Sequence, residues 1–240
     1  MSRHFPRLLL GLAALLAVGA AAGTARADII YLPGQTAPSG GVGHRPESVL
    51  SIQSPGNSSN ASGGVAYGCQ PGKKGTTCGD TLSGDAKRGE HSKTLTFGQA
   101  GLTNASGLRI FMDTEDPDND LTLNSLVLTA YGSNGSILFQ GSLAAPIDFG
   151  DELNGQGKGD RVFGLDAAQA ARLQAAFEAD PNLRLGLFAS TSDDTGSFTN
   201  FKLGQGPEPI PEPMTMILFG TGLAGVAAKV RRRKRAALRE

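Results

Sequence analysis

From Thr94 onward, apolar residues recur at every second position. Leu108, Ile110 and Met112 alternate with Arg109, Phe111 and Asp113, and Leu126, Leu128 and Ala130 alternate with Ser125, Val127 and Thr129. A period of two belongs to strands with one buried face. Asn134-Gly135 lies between Leu126 to Tyr131 and Ile137 to Leu143 and predicts a hairpin turn. Runs at 161–165, 183–189 and 198–203 bring the total to about six strands. The period changes once. Asp166 stands as a helix N-cap with Gln169 three residues on, as in a capping box, and Leu165 can staple against Ala170. Leu173, Ala176 and Phe177 then share a helical face before Asp180-Pro181 ends it. The expected fold is mainly β: an antiparallel β-sandwich, jelly-roll or cohesin-like, with one short crossover helix covering an end.

Before Thr94 the pattern fades. Residues 33–92 are dominated by Gly, Ser, Pro and Asn, with few apolar positions beyond Val49, Leu50, Ile52 and Val65. That composition predicts a loop-rich region with one or two short strands. Cys69 and Cys78, the only two thiols, both lie there. In an oxidising compartment they are expected to form a disulfide, whose closed loop is worth about 2.5 kcal/mol by chain entropy. The alternative, a metal site, needs two further ligands, and only His91 is near in sequence.

The two ends are apolar in another way. Arg3 and Arg7 precede an apolar run from Leu8 to Ala22, and Ala25-Arg26-Ala27 gives a small-x-small cleavage site before Asp28, which predicts an N-terminal signal peptide. At the other end Pro211-Glu212-Pro213 is followed by an apolar stretch from Met214 to Ala228. Lys229 and the cluster Arg231, Arg232, Arg233, Lys234 and Arg235 come next. Such a stretch predicts a C-terminal transmembrane helix. At about 1.5 Å per residue it reaches roughly 22 Å, short of a hydrocarbon core of about 30 Å, so the basic side chains must snorkel or the bilayer thin. The basic cluster acts as a stop-transfer signal that stays cytoplasmic, leaving everything before Pro211 outside.

Pro-Glu-Pro, a short apolar span and a terminal basic cluster, in that order, resemble the PEP-CTERM sorting signal of Gram-negative bacterial surface proteins. The resemblance covers about an eighth of the chain. It implies recognition and cleavage near Pro211, Glu212 and Pro213 by an exosortase-type membrane protease, in a setting of exopolysaccharide production. It also implies inner-membrane anchoring through the C-terminal helix, then a cell-surface or extracellular location after processing. The domain organisation expected is a signal peptide over 1–27, a loop-rich Gly/Ser/Pro segment with one disulfide over 28–93, a β-sandwich ectodomain over 94–206, and the sorting signal over 207–240.

Charge changes the picture. The formal net charge of the whole chain is +0, yet the positive residues concentrate at the two ends. Residues 28–206 hold 12 Lys+Arg against 19 Asp+Glu, a balance of −7. That excludes nucleic acid as an expected partner and leaves cation binding or solubility as the use of the excess. The densest cluster, Asp113, Glu115, Asp116, Asp118 and Asp120, is a candidate Ca²⁺ site, because crowded carboxylates repel and a hard cation relieves them. An EF-hand is excluded: Leu121 stands at position six for glycine and Val127 at position twelve for glutamate. A solvated turn is the competing interpretation. A second acidic loop carries Asp148, Asp151, Glu152 and Asp160 around glycines that follow no phosphate-binding spacing. Ca²⁺ is the only cofactor these residues suggest.

Enzyme signatures are thin. Beyond the signal region only His44 and His91 occur, and no nucleophile-elbow or zinc-protease pattern is present. There is no Trp, and three Tyr in all. The expected function is that of an exported, non-enzymatic surface or matrix protein associated with biofilm or exopolysaccharide. The alternatives are a secreted carbohydrate-active enzyme and a calcium-dependent polysaccharide-binding adhesin with the same signal.

Overall fold

The structure, a computed structural model, describes residues 29–35, 46–56, 58–72, 75–114, 121–149, 161–193 and 198–206. The signal-peptide and C-terminal helix expectations fall outside these residues.

Among the described residues twelve strands form two sheets, and every pairing between named strands is antiparallel. The smaller sheet contains β1 (Ile29–Tyr31), β2 (Glu47–Gln53), β6 (Leu108–Thr114), β10 (Arg161–Leu165) and β12 (Phe198–Gln205), in the order β1-β10-β6-β12-β2. The larger runs β4 (Gly75–Gly84), β3 (Ala61–Gly72), β11 (Arg184–Ser192), β7 (Thr122–Tyr131), β8 (Ile137–Ser142). To it are added β5 (Leu95–Thr96) on β11 and β9 (Ile147–Asp148) on β7.

One hydrophobic core draws on both sheets. From the smaller sheet come the cross-strand rows Phe163, Ile110, Leu203 and Met112, Phe201, Leu50. From the larger come Val65, Leu187, Leu128 and Leu95, Leu185, Ala130. These are the alternating apolar positions of the sequence, now facing one another. Helix α1 (Ala167–Ala179) carries the chain from β10 to β11, and hence from one sheet to the other. Asp166 caps it, its carboxylate accepting the Gln169 N–H at 2.7 Å, while Gln169 Oε1 accepts from Arg172. Leu173 is fully buried, and Phe177 stacks on Phe97 with centroids 4.2 Å apart.

Two expectations are revised. The segment over 28–93, read as loop-rich with one or two short strands, supplies β1 to β4. It contributes two strands to each sheet and is continuous with the fold over 94–206. Its glycines hide the pattern, because a strand position without a side chain leaves no hydrophobic mark. The alternation in β6 also misleads about exposure. Arg109 and Phe111, on the face away from the core, are 1% exposed each. Residues just after β1 and before β2 lie over that face: Gln35 Oε1 accepts from Arg109 Nε at 3.3 Å, and Pro46 crowds Gly204 beside Phe111. Burial lowers the Arg109 pKa from its ordinary value.

The larger sheet has an unusual extension. β3 pairs with β11 only from Ala61 to Val65; beyond this β5 becomes the partner of β11, and β3 continues with β4 alone to Gly72. This hairpin arm passes close over the sheet where side chains are missing. A Cβ at Gly186 of β11 would collide with the Val65 carbonyl oxygen and lie 2.9 Å from the Tyr131 ring. A Cβ at Gly135, in the turn after β7, would lie 2.9 Å from the Cys69 nitrogen. Gly186→Val should therefore destabilise the fold by about 2–3 kcal/mol, the range of overpacking against backbone that cannot yield. Gly98→Ala, with open space around it, should stay within about 0.5 kcal/mol; urea unfolding of the two variants checks the difference.

Candidate functional site

The arm creates the most elaborate surface among the described residues. It is closed on itself by the Cys69–Cys78 disulfide, which joins directly opposed positions of β3 and β4. At its base a polar knot holds it to the sheet. Asp80 of β4 accepts from both the N–H and the hydroxyl of Thr94. Thr94 accepts in turn from Arg184 of β11, with Nε 2.7 Å from its hydroxyl oxygen and Nη2 2.8 Å from its carbonyl oxygen. The Arg184 guanidinium also sits 5.1 Å from the Tyr67 ring centre. Each partner satisfies another, so the knot avoids the cost of burying polar groups unpaired; Thr94 is 1% exposed.

At the arm's distal end, the turn between β7 and β8 receives it. Cys69 Sγ lies 3.8 Å from the Ser133 carbonyl oxygen. The same turn is fastened to the end of α1, where the Asp180 carboxylate accepts from the N–H of Ser133 at 2.7 Å and of Asn182 at 3.1 Å. These bonds, that to Ser133 foremost, hold the Asp180 pKa below its ordinary value. Within the turn, Asn134 Oδ1 accepts from the N–H and hydroxyl of Ser136, and Gly135 takes a φ of 82°. The hairpin is the one the Asn-Gly pair predicts, but its connection is longer than a two-residue turn: the Gly132 N–H donates to the Ser136 carbonyl and the Gly135 N–H to the Gly132 carbonyl, each at 2.8 Å, and of the pair Gly135 alone has a positive φ.

Between the arm and the outer face of the larger sheet runs an open cleft of about 310 Å³. Phe188 of β11, Val127, Thr129 and Tyr131 of β7, Gln140 of β8 and Ser83 of β4 contribute side chains to it. Two aromatic rings lie against glycines. Phe188 is directly opposite Gly64 of β3, its ring within 3.1 Å of where a Gly64 Cβ would stand, and Tyr131 rests on Gly186. Gln140 Nε2 donates to Thr129 Oγ1 at 3.4 Å. Burial raises the Tyr131 pKa, opposed by a hydrogen bond with Thr129, so the phenol stays neutral. None of the ten residues lining the cleft carries a charge.

The sequence candidates fall elsewhere. Of the proposed calcium ligands only Asp113 is described, and Lys202 of β12 donates to its carboxylate at 3.3 Å; Glu115, Asp116, Asp118 and Asp120 lie outside the described residues. Among the described residues no group of three or more His, Cys, Asp or Glu is placed to hold a metal. In the second acidic loop, Asp148 is on β9 and Asp151, Glu152 and Asp160 are outside the description. His91 closes a short 3₁₀ turn, Gly89–His91, and its carbonyl oxygen accepts from Ser48; His44 is not described. Ala25, Ala27, Pro211, Glu212, Pro213 and Arg231 to Arg235 are likewise outside. The cleft was not anticipated. Its signal in the sequence is the pair Gly186 and Phe188, at alternate positions between Leu185, Leu187 and Ala189: a glycine in a strand interior marks close approach of another backbone.

A family model described as the PEP-CTERM protein-sorting motif matches residues 209–233. This is a PEP-CTERM protein. The match takes in Pro211, Glu212 and Pro213, the apolar span and the first three arginines of the basic cluster. As a PEP-CTERM protein it is exported, sorted by an exosortase, itself a membrane protein, and anchored in the membrane through its C-terminus. Among the described residues no helix is long and apolar enough to cross a membrane, and Met214 to Ala228 are not among them. No curated protein and no solved structure matches the chain.

Two outcomes follow for the folded part of this PEP-CTERM protein. Replacing Cys69 and Cys78 together by Ser should cost up to about 2.5 kcal/mol, the entropy of a loop of this length, read as a lowered denaturation midpoint. Asp180 gives a pH signature. Its folded pKa is depressed, so its contribution is present above the unfolded value and is lost as pH falls through the folded one. Thermal melts should therefore show a steeper loss of stability below about pH 4 for the parent than for Asp180→Asn.

Proposed function

We propose that this PEP-CTERM protein is a non-enzymatic component of the bacterial surface or extracellular matrix, associated with exopolysaccharide. Its two sheets form a sandwich of jelly-roll or cohesin-like type that is the delivered part. The observation that carries the proposal is the sorting motif at 209–233, following a compact unit that ends at Gln205. A sorted protein needs nothing at its destination beyond a stable domain and a surface for its neighbours. The sequence supports a binding rather than a catalytic role: beyond the signal region it offers only His44 and His91 as imidazole general bases, far apart along the chain. The balance of −7 over 28–206 suits a soluble exterior domain and opposes non-specific adhesion to polyanions.

The intact mass of the protein from producing cells tests the address. It should begin at Asp28 and lack Arg231 to Arg235; a mature species that retains them contradicts C-terminal processing, and one beginning at Met1 contradicts export. Incubation with exopolysaccharide should release no new reducing ends. Release above a boiled control would replace the matrix reading with a carbohydrate-active enzyme.

A further inference from the structure

We propose that the cleft between the arm and the larger sheet binds a segment of neutral glycan. This deepens the matrix reading by naming a ligand class and a place for it. It requires that the domain face the exterior, but not that the sorting signal be processed.

The choice of ligand rests on what the cleft offers. Recognition there must proceed without charge, because no lining residue carries one. Anions are further opposed by the negative balance of the exported part. Cations find no carboxylate in the lining. An extended peptide is poorly served as well. Such ligands bind by adding to a free strand edge, and the cleft lies on a sheet face, where β11 is paired on both sides, by β3 and β5 on one and β7 on the other.

What remains is a ligand read by hydroxyl and amide groups together with aromatic faces. Thr129, Tyr131, Gln140 and Ser83 supply neutral donors and acceptors, and Phe188, 38% exposed, supplies an apolar ring held against Gly64. A pyranose has that mixed character, with hydroxyls around its rim and C–H groups on its faces. The volume of about 310 Å³ is at the small end of ligand sites, which run from roughly 300 to 1,000 Å³. Because the cleft is open to solvent, a longer chain can continue beyond it. The glycines set the depth: a side chain at Gly64 or Gly186 would fill the floor or displace the ring resting there.

The test uses the full chain in a zwitterionic detergent without a sugar headgroup. Calorimetric titration compares cellohexaose, laminarihexaose, maltohexaose and mannohexaose with oligogalacturonate. At least one neutral hexasaccharide should bind, with an affinity unaffected by added salt or by EDTA. Phe188→Ala and Gln140→Ala should each weaken it by about tenfold or more. Both side chains are at the surface, so the variants should melt within a few degrees of the parent. Where one does not, Thr129→Val serves as the second probe, with the same loss expected. The proposal is overturned if no neutral oligomer binds at concentrations up to about 10 mM, if oligogalacturonate binds more tightly, or if the folded variants keep the parent's affinity. Binding by the full chain, alongside a mature species from producing cells that still carries Arg231 to Arg235, would refute the sorting reading alone, whereas correct processing without binding would refute only the glycan site.

Discussion

A polypeptide backbone can touch the backbone of a sheet from above only where the sheet presents no side chain, and this constraint governs the larger sheet. The arm of β3 and β4 leaves its pairing with β11 after Val65 and comes down on Gly186 and Gly135. Much else is arranged around those landings. The Asp80, Thr94 and Arg184 knot fixes where the arm departs, and the Ser133 to Gly135 turn, held by Asp180, fixes where it ends. The cleft is the space left between. Its aromatic rings take the same route, Phe188 lying against Gly64 and Tyr131 against Gly186, so that rings which would otherwise stand away from the sheet lie along it.

The sequence reveals the part of this architecture built from side-chain alternation. Strands β6, β7, β8, β10, β11 and β12, the Asn134-Gly135 turn and the Asp166 cap were all legible, because each rests on a local pattern with a local cause. What was not legible rests on glycine or on distant contact. Gly63, Gly64 and Gly68 stand within β3, where they look like linker composition. Yet the backbone ladder needs no side chain: the Ala86 nitrogen occupies the space left at Gly63 and the Phe188 ring that at Gly64, while the space at Gly68 is open. The burial of Arg109 and Phe111 was equally hidden, since the residues that cover them, Gln35 and Pro46, are more than sixty positions earlier. The cleft combines both obstacles. Its floor is marked by missing side chains, and its lining comes from five strands spread over more than a hundred residues.

Charge shows a division of labour along the same chain. The positive residues of the ends belong to delivery, where they set orientation across a membrane. Once they are set aside the remainder is acidic, and the cleft is a neutral stripe on it. Asp113 accepts a hydrogen bond from Lys202, on the neighbouring strand of the smaller sheet. This keeps Asp113 tied to the sheet, with its charge met from within the fold.

The arm and the address are linked by one further physical step. Apart from Leu82, every described residue of β4 is exposed, so the distal hairpin has almost no core behind it. An isolated two-stranded hairpin is marginally stable in water, and the docking glycines contribute close contact but little apolar burial. Covalent closure at Cys69–Cys78 removes much of the entropy that would otherwise open it. Such a bond persists outside the reducing cytoplasm, which is where the sorting signal directs the protein. The arm can therefore be lean and glycine-rich because its chain is exported, and the cleft beneath it takes its final form only after delivery.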